Sequence, residues 1–228
     1  MSTIYPVILP VPDTIKNRKG RAGAAYLSGY ARCALKISCR KSGIFLSRIL
    51  KNENGSPLPF EGYFWSLTHK PKYVGAVVAP SGIGMDVEEI RPRPAALFRK
   101  IADDREWNLT NADPDKLFFR YWTSKESVLK ASGKGLGDLS KCRIEEVIDE
   151  TMLMIRYGEK KLLIAHCYFD GHIASVVKND FDIQWTFPKA PAAGIFCSKD
   201  GSDGVDPEPV IRTAAKFLRK FPAPGLFA

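Results

Sequence analysis

Helix-like and strand-like segments occur in both halves of the chain, and this distribution limits the folds open to it. Apolar residues recur at helical spacing in residues 21–36 and again in residues 115–132, and strand-like segments follow each of these stretches. One long helix and several strands in each half predict two α+β units rather than one doubly wound sheet. We therefore expect an N-terminal α+β subdomain over residues 1–100 and a C-terminal α+β subdomain over residues 101–187.

The strand-like segments are short and are bounded by turn residues. We predict strands over residues 63–67, 73–79, 83–88, 143–147, 152–157, 161–169 and 172–178, and a shorter helix over residues 95–102. The composition changes from residue 188 onward, where prolines stand at positions 188, 191, 207, 209, 222 and 224. We expect residues 188–228 to form a Pro-rich C-terminal tail attached to the two subdomains.

Positive charge is concentrated near the N-terminus. The chain has a net charge of +9, and its first 50 residues contain one acidic residue and nine basic ones: Lys16, Arg18, Lys19, Arg21, Arg32, Lys36, Arg40, Lys41 and Arg48. Such a block favours an anionic partner, which could be nucleic acid, an acidic protein or a phosphate-bearing small molecule. A solvated helix face explains the same charge equally well.

The cysteine pattern and the apolar runs predict a soluble cytoplasmic protein that does not enter a membrane. The five cysteines form no CxxC pair, so neither a zinc site nor a disulfide framework is expected. The first 14 residues contain three prolines and lack the charged start of a signal peptide. The apolar run at residues 74–80 is far too short to cross a bilayer.

The segment IGMDVE, at residues 83–88, is an apolar strand start that ends with two acidic residues. Because residues i and i+2 of a strand lie on the same face, the side chains of Asp86 and Glu88 are expected to point together. Two like charges at roughly 4 Å repel each other by about 4 kcal/mol at an effective dielectric constant near 20. The pair therefore predicts a bound cation.

The predicted helix over residues 115–132 carries further charged residues. Its apolar face consists of Leu117, Phe118, Tyr121, Trp122, Val128 and Leu129. Lys125 lies at the edge of that face, whereas Trp122, Glu126 and Lys130 share one side at positions i, i+4 and i+8. Glu126 and Lys130 could also form an exposed ion pair worth about 0.3–0.5 kcal/mol, and the sequence alone leaves this alternative open.

A short polar segment lies between the first two predicted strands. It brings together the hydroxyl group of Thr68, the imidazole of His69 and the ammonium groups of Lys70 and Lys72. Hydroxyl, imidazole and ammonium groups on one loop suit a phosphate group. The segment therefore predicts a phosphate-binding loop.

Three motifs in this order resemble the signature of the 4′-phosphopantetheinyl transferases. They are Gly-Met-Asp-x-Glu at residues 84–88, Trp-Thr-Ser-Lys-Glu-Ser-x-x-Lys at residues 122–130 and Gly-Lys-Gly-Leu at residues 133–136. Upstream, Leu67-Thr68-His69 resembles the Ser-His loop of the larger monomeric members, the surfactin-synthetase-activating type. The resemblance extends in order and spacing over residues 20–180.

This resemblance implies an enzyme, a fold and partners. The family transfers the phosphopantetheine arm of coenzyme A to a serine of an apo acyl or peptidyl carrier protein and releases adenosine 3′,5′-bisphosphate. Such holo-[acyl-carrier-protein] synthases act in fatty acid, polyketide and nonribosomal peptide biosynthesis. The larger members are monomers that form a pseudo-dimer of two similar α+β subdomains, with the site in the cleft, and they use Mg²⁺ or Mn²⁺.

Matched position by position, the resemblance assigns the metal and catalytic residues. Asp86, Glu88 and Glu126 match the Mg²⁺ ligands. Glu126 is also expected to take the proton of the carrier serine, and Lys130 is expected to stabilise or protonate the departing bisphosphate. The metal neutralises the pyrophosphate and favours in-line attack on phosphorus.

The resemblance also assigns residues to coenzyme A. Thr68 and His69 match residues that contact its phosphates, and Lys125 and Lys130 match residues near the pyrophosphate and the carrier serine. Arg32 matches, more loosely, an early arginine near the 3′-phosphate. The chain departs from the family where Ser56 replaces a lysine of a Gly-Lys-Pro motif, and where Thr68 replaces a serine.

Two other functions are alternatives to the transferase activity that the resemblance implies. A basic nucleic-acid-binding module explains the charge, but it leaves Asp86, Glu88 and Glu126 repelling phosphates, and no nucleic-acid-binding signature is present. A non-catalytic relative that binds carrier proteins explains the fold without using the acidic residues. The expected partners are therefore coenzyme A and a carrier protein, with no nucleic acid and no membrane.

Overall fold

The chain forms two antiparallel sheets, each packed against one long helix. The structure is a computed structural model that describes residues 2–13, 20–53 and 55–189. The helices are α1 (Gly20–Lys41), α2 (Ala95–Ile101), α3 (Asp104–Trp107) and α4 (Pro114–Ser132), and a 3₁₀ helix spans Leu136–Lys141. The strands are β1 (Thr3–Ile4), β2 (Val7–Pro10), β3 (Leu50–Lys51), β4 (Pro57–Leu58), β5 (Phe64–His69), β6 (Tyr73–Ala79), β7 (Met85–Glu89), β8 (Cys142–Val147), β9 (Met152–Tyr157), β10 (Lys160–Phe169), β11 (His172–Val177) and β12 (Asp182–Ile183).

The first sheet has three strands in the order β2–β6–β5 and packs against α1. Apolar side chains from both layers fill the space between them, and Val7, Leu9, Leu35 and Val74 are fully buried there. Two short pairs extend the fold: β3 pairs with β4 as a hairpin, and β1 runs parallel to β12. The N-terminal strand β1 is thereby joined to the last strand that the structure describes.

The second sheet has five strands in the order β7–β11–β10–β9–β8, and α4 lies across β7 and β11. The helix begins after Asp113, whose side chain accepts a hydrogen bond from the Lys116 backbone N–H at 2.8 Å. It ends at Gly133, whose φ of 67° lies in the left-handed region that favours glycine, as expected for a C-cap. This arrangement fixes which side chains of α4 face β7.

Buried hydroxyl groups join the two sheets where β5 meets β7. The Met85 backbone N–H donates to the Ser66 hydroxyl at 3.1 Å, and the Val87 backbone N–H donates to the Thr68 hydroxyl at 3.3 Å. The edge of the second sheet is therefore satisfied by side chains of the first sheet rather than by backbone pairing. Thr68 also donates to Asp86, so this junction carries the candidate site.

The predicted mixed α+β class is confirmed. Each sheet has its own long helix and its own buried apolar cluster, in agreement with the expectation of one helix and several strands in each half. β7 belongs to the five-stranded sheet, so the two sheets separate between β6 and β7. The subdomain boundary at residue 100 and the pseudo-dimer stay predictions, and the predicted Pro-rich tail lies, apart from its first two residues, outside the described residues.

The prediction of a loop at residues 68–72 is wrong at its first two positions. Thr68 and His69 belong to β5, because they pair with Gly75 and Val74 of β6. The turn begins only at Lys70, whose backbone N–H donates to the Tyr73 carbonyl at 2.8 Å. Thr68 is consequently buried, which changes what its hydroxyl can bind.

No helix among the described residues is long and apolar enough to cross a membrane. The described cysteines are free thiols, and they are Cys33, Cys39, Cys142 and Cys167. Burial raises the pKa of Cys39 to about 12 and that of Cys142 to about 11. These two thiols are therefore packing groups rather than nucleophiles.

Gly84 allows β7 to approach α4 closely. A Cβ atom at this position would stand 1.8 Å from the Ser127 carbonyl oxygen and 2.7 Å from the Ala131 nitrogen. We expect Gly84→Ala to lower the free energy of unfolding by about 1–3 kcal/mol, because the strand must move away from the helix. Gly29→Ala is a matched control, because a Cβ atom there meets open space in a helix and is expected to stabilise. Equal melting temperatures for Gly84→Ala and the unmodified protein would contradict this packing.

Candidate functional site

Asp86, on β7, is the buried carboxylate of the candidate site and is 2% exposed. Its Oδ1 accepts hydrogen bonds from the Thr68 hydroxyl and from the Lys130 Nζ, both at 2.8 Å. Burial alone would raise the pKa of Asp86, but the charges of Lys130 and Lys70 lower it, and the net shift is downward. Oδ2 has no hydrogen-bond partner among the described residues, so an ionised oxygen remains available for a ligand.

Glu88 lies two residues further along β7 and carries the second carboxylate. Its Oε1 accepts hydrogen bonds from the Lys70 Nζ at 2.6 Å and from the Trp122 Nε1 at 3.1 Å. Desolvation alone would lower the pKa of Lys70, but Asp86 and Glu88 raise it, and the net shift is upward. This lysine therefore stays charged and compensates the two carboxylates of β7.

Glu126, on α4, is the third carboxylate and is half-buried. Desolvation raises its pKa, the nearby charge of Asp86 raises it further, and Lys130 and Lys70 oppose this shift. Lys130 contacts Asp86 rather than Glu126, so the alternative of an exposed ion pair between Glu126 and Lys130 is wrong. Trp122 and Lys130 both reach acidic side chains of β7, as expected for residues on one side of α4.

The three carboxylates provide the oxygen donors that a hard cation prefers, although they are not arranged around one point. Within the described ranges, no three His, Cys, Asp or Glu side chains are gathered closely enough to hold a metal ion. Lys130 and Lys70 contact oxygens of Asp86 and Glu88 instead. The unpartnered Oδ2 of buried Asp86 nevertheless fits Mg²⁺, which takes carboxylate oxygens together with substrate phosphates. Binding of a cation there requires the two ammonium groups to shift.

Positive groups from several elements adjoin the carboxylates. His69 is exposed at the end of β5, and its pKa is lowered by desolvation and then by the charges of Lys130, Lys70 and Lys51. The pKa of Lys51, on β3, is likewise lowered by desolvation and then by Arg32 and Lys130. The charge of Lys130 acts on both His69 and Lys51, and a group of positive side chains of this kind suits an anion with several charges.

Residues 82–184 match a protein family described as the 4′-phosphopantetheinyl transferase superfamily. Over this stretch, the chain is similar to that superfamily. The matched residues include β7 and α4, and therefore Asp86, Glu88, Glu126 and Lys130. The predicted resemblance is confirmed, and the match does not favour a nucleic-acid-binding module.

Individual members of the superfamily are similar to this chain over part of their length. The 4′-phosphopantetheinyl transferase HetI of Nostoc sp. is 37% identical over 90 residues, which are 36% of this chain and 38% of that protein. The 4′-phosphopantetheinyl transferase psf-1 of Bacillus pumilus is 28% identical over 89 residues, which are 36% of this chain and 38% of that protein. A putative 4′-phosphopantetheinyl transferase of Haemophilus influenzae is 32% identical over 118 residues, 48% of this chain and 50% of that protein. The chain thus spans between 38% and 50% of the length of these relatives.

The structure does not bring Lys125 to the carboxylates of β7, although the superfamily motif contains it. Its Nζ donates to the Glu106 Oε1 and to the Ile101 carbonyl, both at 2.7 Å, and its side chain is 2% exposed. Neighbouring residues on a helix point about 100° apart, so Lys125 faces α3 while Glu126 faces the carboxylates. We correct its assignment from a pyrophosphate contact to an ion pair that holds α4 against α3.

Lys125→Met is expected to lower the free energy of unfolding by about 3–5 kcal/mol, because it leaves the buried Glu106 carboxylate without its main cation. Arg143 stands 3.5 Å from the other oxygen of Glu106 and compensates only in part. Chemical denaturation measures the loss, and the exposed Lys160→Met serves as the control. Loss of activity in Lys125→Met with unchanged stability would contradict the structural role and return Lys125 to the site.

The resemblance assigns Thr68, His69 and Arg32 to the phosphates of coenzyme A, and the structure shows that they differ in exposure and in partners. Thr68 is 2% exposed, and its hydroxyl joins Asp86 to the Val87 backbone N–H, so it positions the carboxylate instead of facing solvent. Arg32 is half-buried on α1, and its charge acts on Lys51. His69 is the exposed member of the predicted phosphate loop.

Sequence reasoning missed three contributions to the site. The sequence pattern groups Lys70 with phosphate-binding cations, yet it contacts the Glu88 carboxylate. The helical pattern places Trp122 on the apolar face, yet its indole N–H donates to Glu88. Glu106 carried no signal, because its partner Lys125 lies 19 residues away and the pairing exists only in the folded chain.

Proposed function

We propose that this chain transfers the 4′-phosphopantetheine arm of coenzyme A to a serine of an apo acyl or peptidyl carrier protein. The proposal rests on one observation. Asp86 and Glu88, on β7, face Glu126 and Lys130, on α4, and all four lie within the stretch that matches the superfamily. The relatives named 4′-phosphopantetheinyl transferases support it. We further propose that the protein acts as a cytoplasmic monomer and that its two sheet-and-helix units form a pseudo-dimer.

The proposal includes a divalent cation, Mg²⁺ or Mn²⁺, held by Asp86, Glu88 and Glu126. The buried and unpartnered Oδ2 of Asp86 supports this choice. When bound, such a cation neutralises pyrophosphate charge and orients the phosphorus for attack. Lys130 and Lys70 favour the ionised form of Asp86 in the free protein, because their charges lower its pKa.

Glu126 is the residue best suited to accept a proton. Its carboxylate receives no hydrogen bond from the described residues, and its raised pKa makes it a stronger base than an exposed glutamate. In the proposed reaction, the carrier serine oxygen attacks the β-phosphorus of coenzyme A while Glu126 takes the serine proton. The bond from this phosphorus to the bridging oxygen breaks, and the electron pair leaves with adenosine 3′,5′-bisphosphate.

Lys130 is placed to act on the leaving group. Its Nζ also contacts the Met85 carbonyl at 3.0 Å, and its side chain is 29% exposed, so it can reach a ligand without leaving the site. We propose that this ammonium group stabilises the negative charge that develops on the departing bisphosphate. His69 and Arg32 are proposed to contact phosphates of coenzyme A, with Thr68 acting through Asp86.

Release of adenosine 3′,5′-bisphosphate tests this function. The protein is incubated with coenzyme A, Mg²⁺ and an apo carrier protein, and the nucleotide product is separated by chromatography. We expect release that requires the carrier and stops when the acceptor serine of the carrier is replaced by alanine. Release that continues without the carrier would indicate simple hydrolysis of coenzyme A and would contradict the proposal.

A further inference from the structure

The turn between β5 and β6 carries two lysines that each contact a glutamate at the end of β7. The Lys70 Nζ lies 2.6 Å from the Glu88 Oε1, and the Lys72 Nζ lies 2.6 Å from the Glu89 Oε1. Both contacts join this turn of the first sheet to the edge strand of the second sheet. The two ion pairs have the same charges and the same length, so they can be compared directly.

The two glutamates lie on opposite faces of β7, because neighbouring side chains of a strand point in opposite directions. Glu88 shares its face with Asp86, and the Trp122 indole N–H, on α4, donates to the Glu88 Oε1 at 3.1 Å. Glu89 lies on the other face, and its side chain is 41% exposed, whereas that of Glu88 is 15% exposed. Of these two ion pairs, only that of Lys70 therefore occupies a carboxylate of the candidate site.

An ammonium group on the Glu88 Oε1 excludes a divalent cation from the same oxygen. Two positive charges a few ångströms apart repel each other strongly in a partly buried site. Mg²⁺ takes carboxylate oxygens as ligands, so Glu88 can bind it through Oε1 only after the Lys70 Nζ has moved away. The Lys70 side chain is 28% exposed, so it is able to move toward solvent.

Lys130 is less suited than Lys70 to a test of this competition. Its Nζ donates to the Met85 carbonyl at 3.0 Å as well as to the Asp86 Oδ1, so the backbone of β7 also holds it. Lys130 is in addition the residue that we propose to act on the leaving group. A change at Lys130 would therefore alter cation binding and chemistry together, whereas a change at Lys70 separates the two.

We propose that Lys70 is a built-in counter-ion that competes with the divalent cation for Glu88 and thereby lowers the affinity of the site for that cation. This inference rests on the proposed function, because it takes Glu88 as a cation ligand. Since Lys70 acts through Glu88, it is a positioning residue and not a catalytic one. The free protein folds with its acidic side chains compensated, and it binds the cation more weakly as a result.

Titration of the full chain with Mn²⁺ alone tests the inference, with free Mn²⁺ measured by electron paramagnetic resonance. Lys70→Met is expected to tighten the binding of Mn²⁺ by roughly fivefold to tenfold, the effect of losing one charge-assisted contact that is partly exposed to water. Lys70→Arg keeps the charge and is expected to keep the weak binding. Lys72→Met is the matched control, because it removes the same charge from the same turn, and it is expected to leave the affinity nearly unchanged.

Glu88→Gln shows whether Lys70 acts through Glu88. A glutamine at this position offers no carboxylate for which Lys70 could compete. Lys70→Met is therefore expected to add little to the affinity for Mn²⁺ when it is combined with Glu88→Gln. Equal tightening with and without Glu88→Gln, or equal tightening by Lys72→Met, would indicate a general effect of charge and would overturn the role of Lys70.

Folding is compared first, through melting temperatures without Mn²⁺. We expect a small decrease for Lys70→Met, because Glu88 loses its ammonium partner while the Trp122 N–H remains. If Lys70→Met does not fold, Lys70→Gln takes its place, since glutamine is neutral and keeps a hydrogen-bond donor, and the same tightening is expected.

The role of Lys70 and the proposed function can fail separately. A protein that modifies a carrier, but whose Lys70→Met variant binds Mn²⁺ no more tightly, overturns the role of Lys70 and leaves the function in place. A protein whose variants bind Mn²⁺ as expected, but which modifies no carrier, contradicts the function and supports the competition for Glu88.

Discussion

Glu126→Gln is expected to slow phosphopantetheine transfer by about 10²–10⁴-fold, the usual contribution of a positioned general base, and loss of a metal ligand adds to that. Glutamine keeps the size and the helix propensity of glutamate, so the folded structure is expected to persist. Lys130 contacts Asp86 rather than Glu126, so the substitution removes no ion pair from α4. The rate is measured at saturating coenzyme A and Mg²⁺.

Glu159→Gln provides the control for this substitution, because Glu159 is exposed in the turn between β9 and β10. We expect it to leave the rate unchanged. Lys130→Ala is expected to slow transfer as well, through its effect on the departing bisphosphate. A turnover rate of Glu126→Gln within a few-fold of that of the unmodified protein would contradict both roles of Glu126, the general base and the metal ligand.

Asp86→Ala is expected to abolish transfer and to remove the binding of Mn²⁺ in the presence of coenzyme A. Asp86 supplies the buried oxygen that lacks a partner within the described part of the chain, and no neighbouring side chain can replace it. Lys130 is not left without a partner by this change, since it also donates to the Met85 carbonyl. Circular dichroism is therefore expected to show an intact fold.

Asp180→Ala is the matched control for Asp86→Ala, because Asp180 is exposed after β11. Metal binding is measured directly by titration with Mn²⁺, which separates loss of the ligand set from loss of the fold. An Asp86→Ala variant that transfers the arm at full rate in excess chelator would end the metal assignment. An unfolded variant moves the test to Asp86→Asn, for which we expect a folded protein with the same loss of Mn²⁺ binding.

Local patterns predict the regular elements well where one residue type dominates a segment. The boundaries predicted for β6 and β9, residues 73–79 and 152–157, agree with the structure. The helix predicted over residues 21–36 extends to Gly20–Lys41, because helical residues that face the first sheet continue past the predicted end. Apolar periodicity is a strong signal, whereas helix ends depend on caps and packing.

The Pro-rich N-terminus conceals two strands from sequence reasoning. Proline usually argues against a strand, since it lacks a backbone N–H group. β2 nevertheless contains Pro10, because β2 is an edge strand of the first sheet and Pro10 stands at its end, opposite Tyr73. Whether a strand lies at an edge is a property of the whole fold, and a local pattern does not contain it.

The residue types of the candidate site follow from sequence, but their partners do not. The spacing of Asp86 and Glu88 correctly predicts a shared face of β7, and the spacing of Trp122, Glu126 and Lys130 a shared side of α4. Which ammonium group meets which carboxylate depends on how β5, β7 and α4 meet in space. The resemblance places Lys125 near the pyrophosphate, whereas tertiary packing pairs it with Glu106.

The intact mass of a carrier protein tests the central claim most directly. An apo carrier is incubated with this protein, coenzyme A and Mg²⁺, and parallel samples contain Asp86→Ala, no coenzyme A, or a carrier without its acceptor serine. We predict that the carrier gains the mass of one phosphopantetheine arm only with the unmodified protein and all components. An unchanged carrier mass in the complete reaction, tested with both acyl and peptidyl carriers and with a folded protein that binds coenzyme A, would contradict the claim.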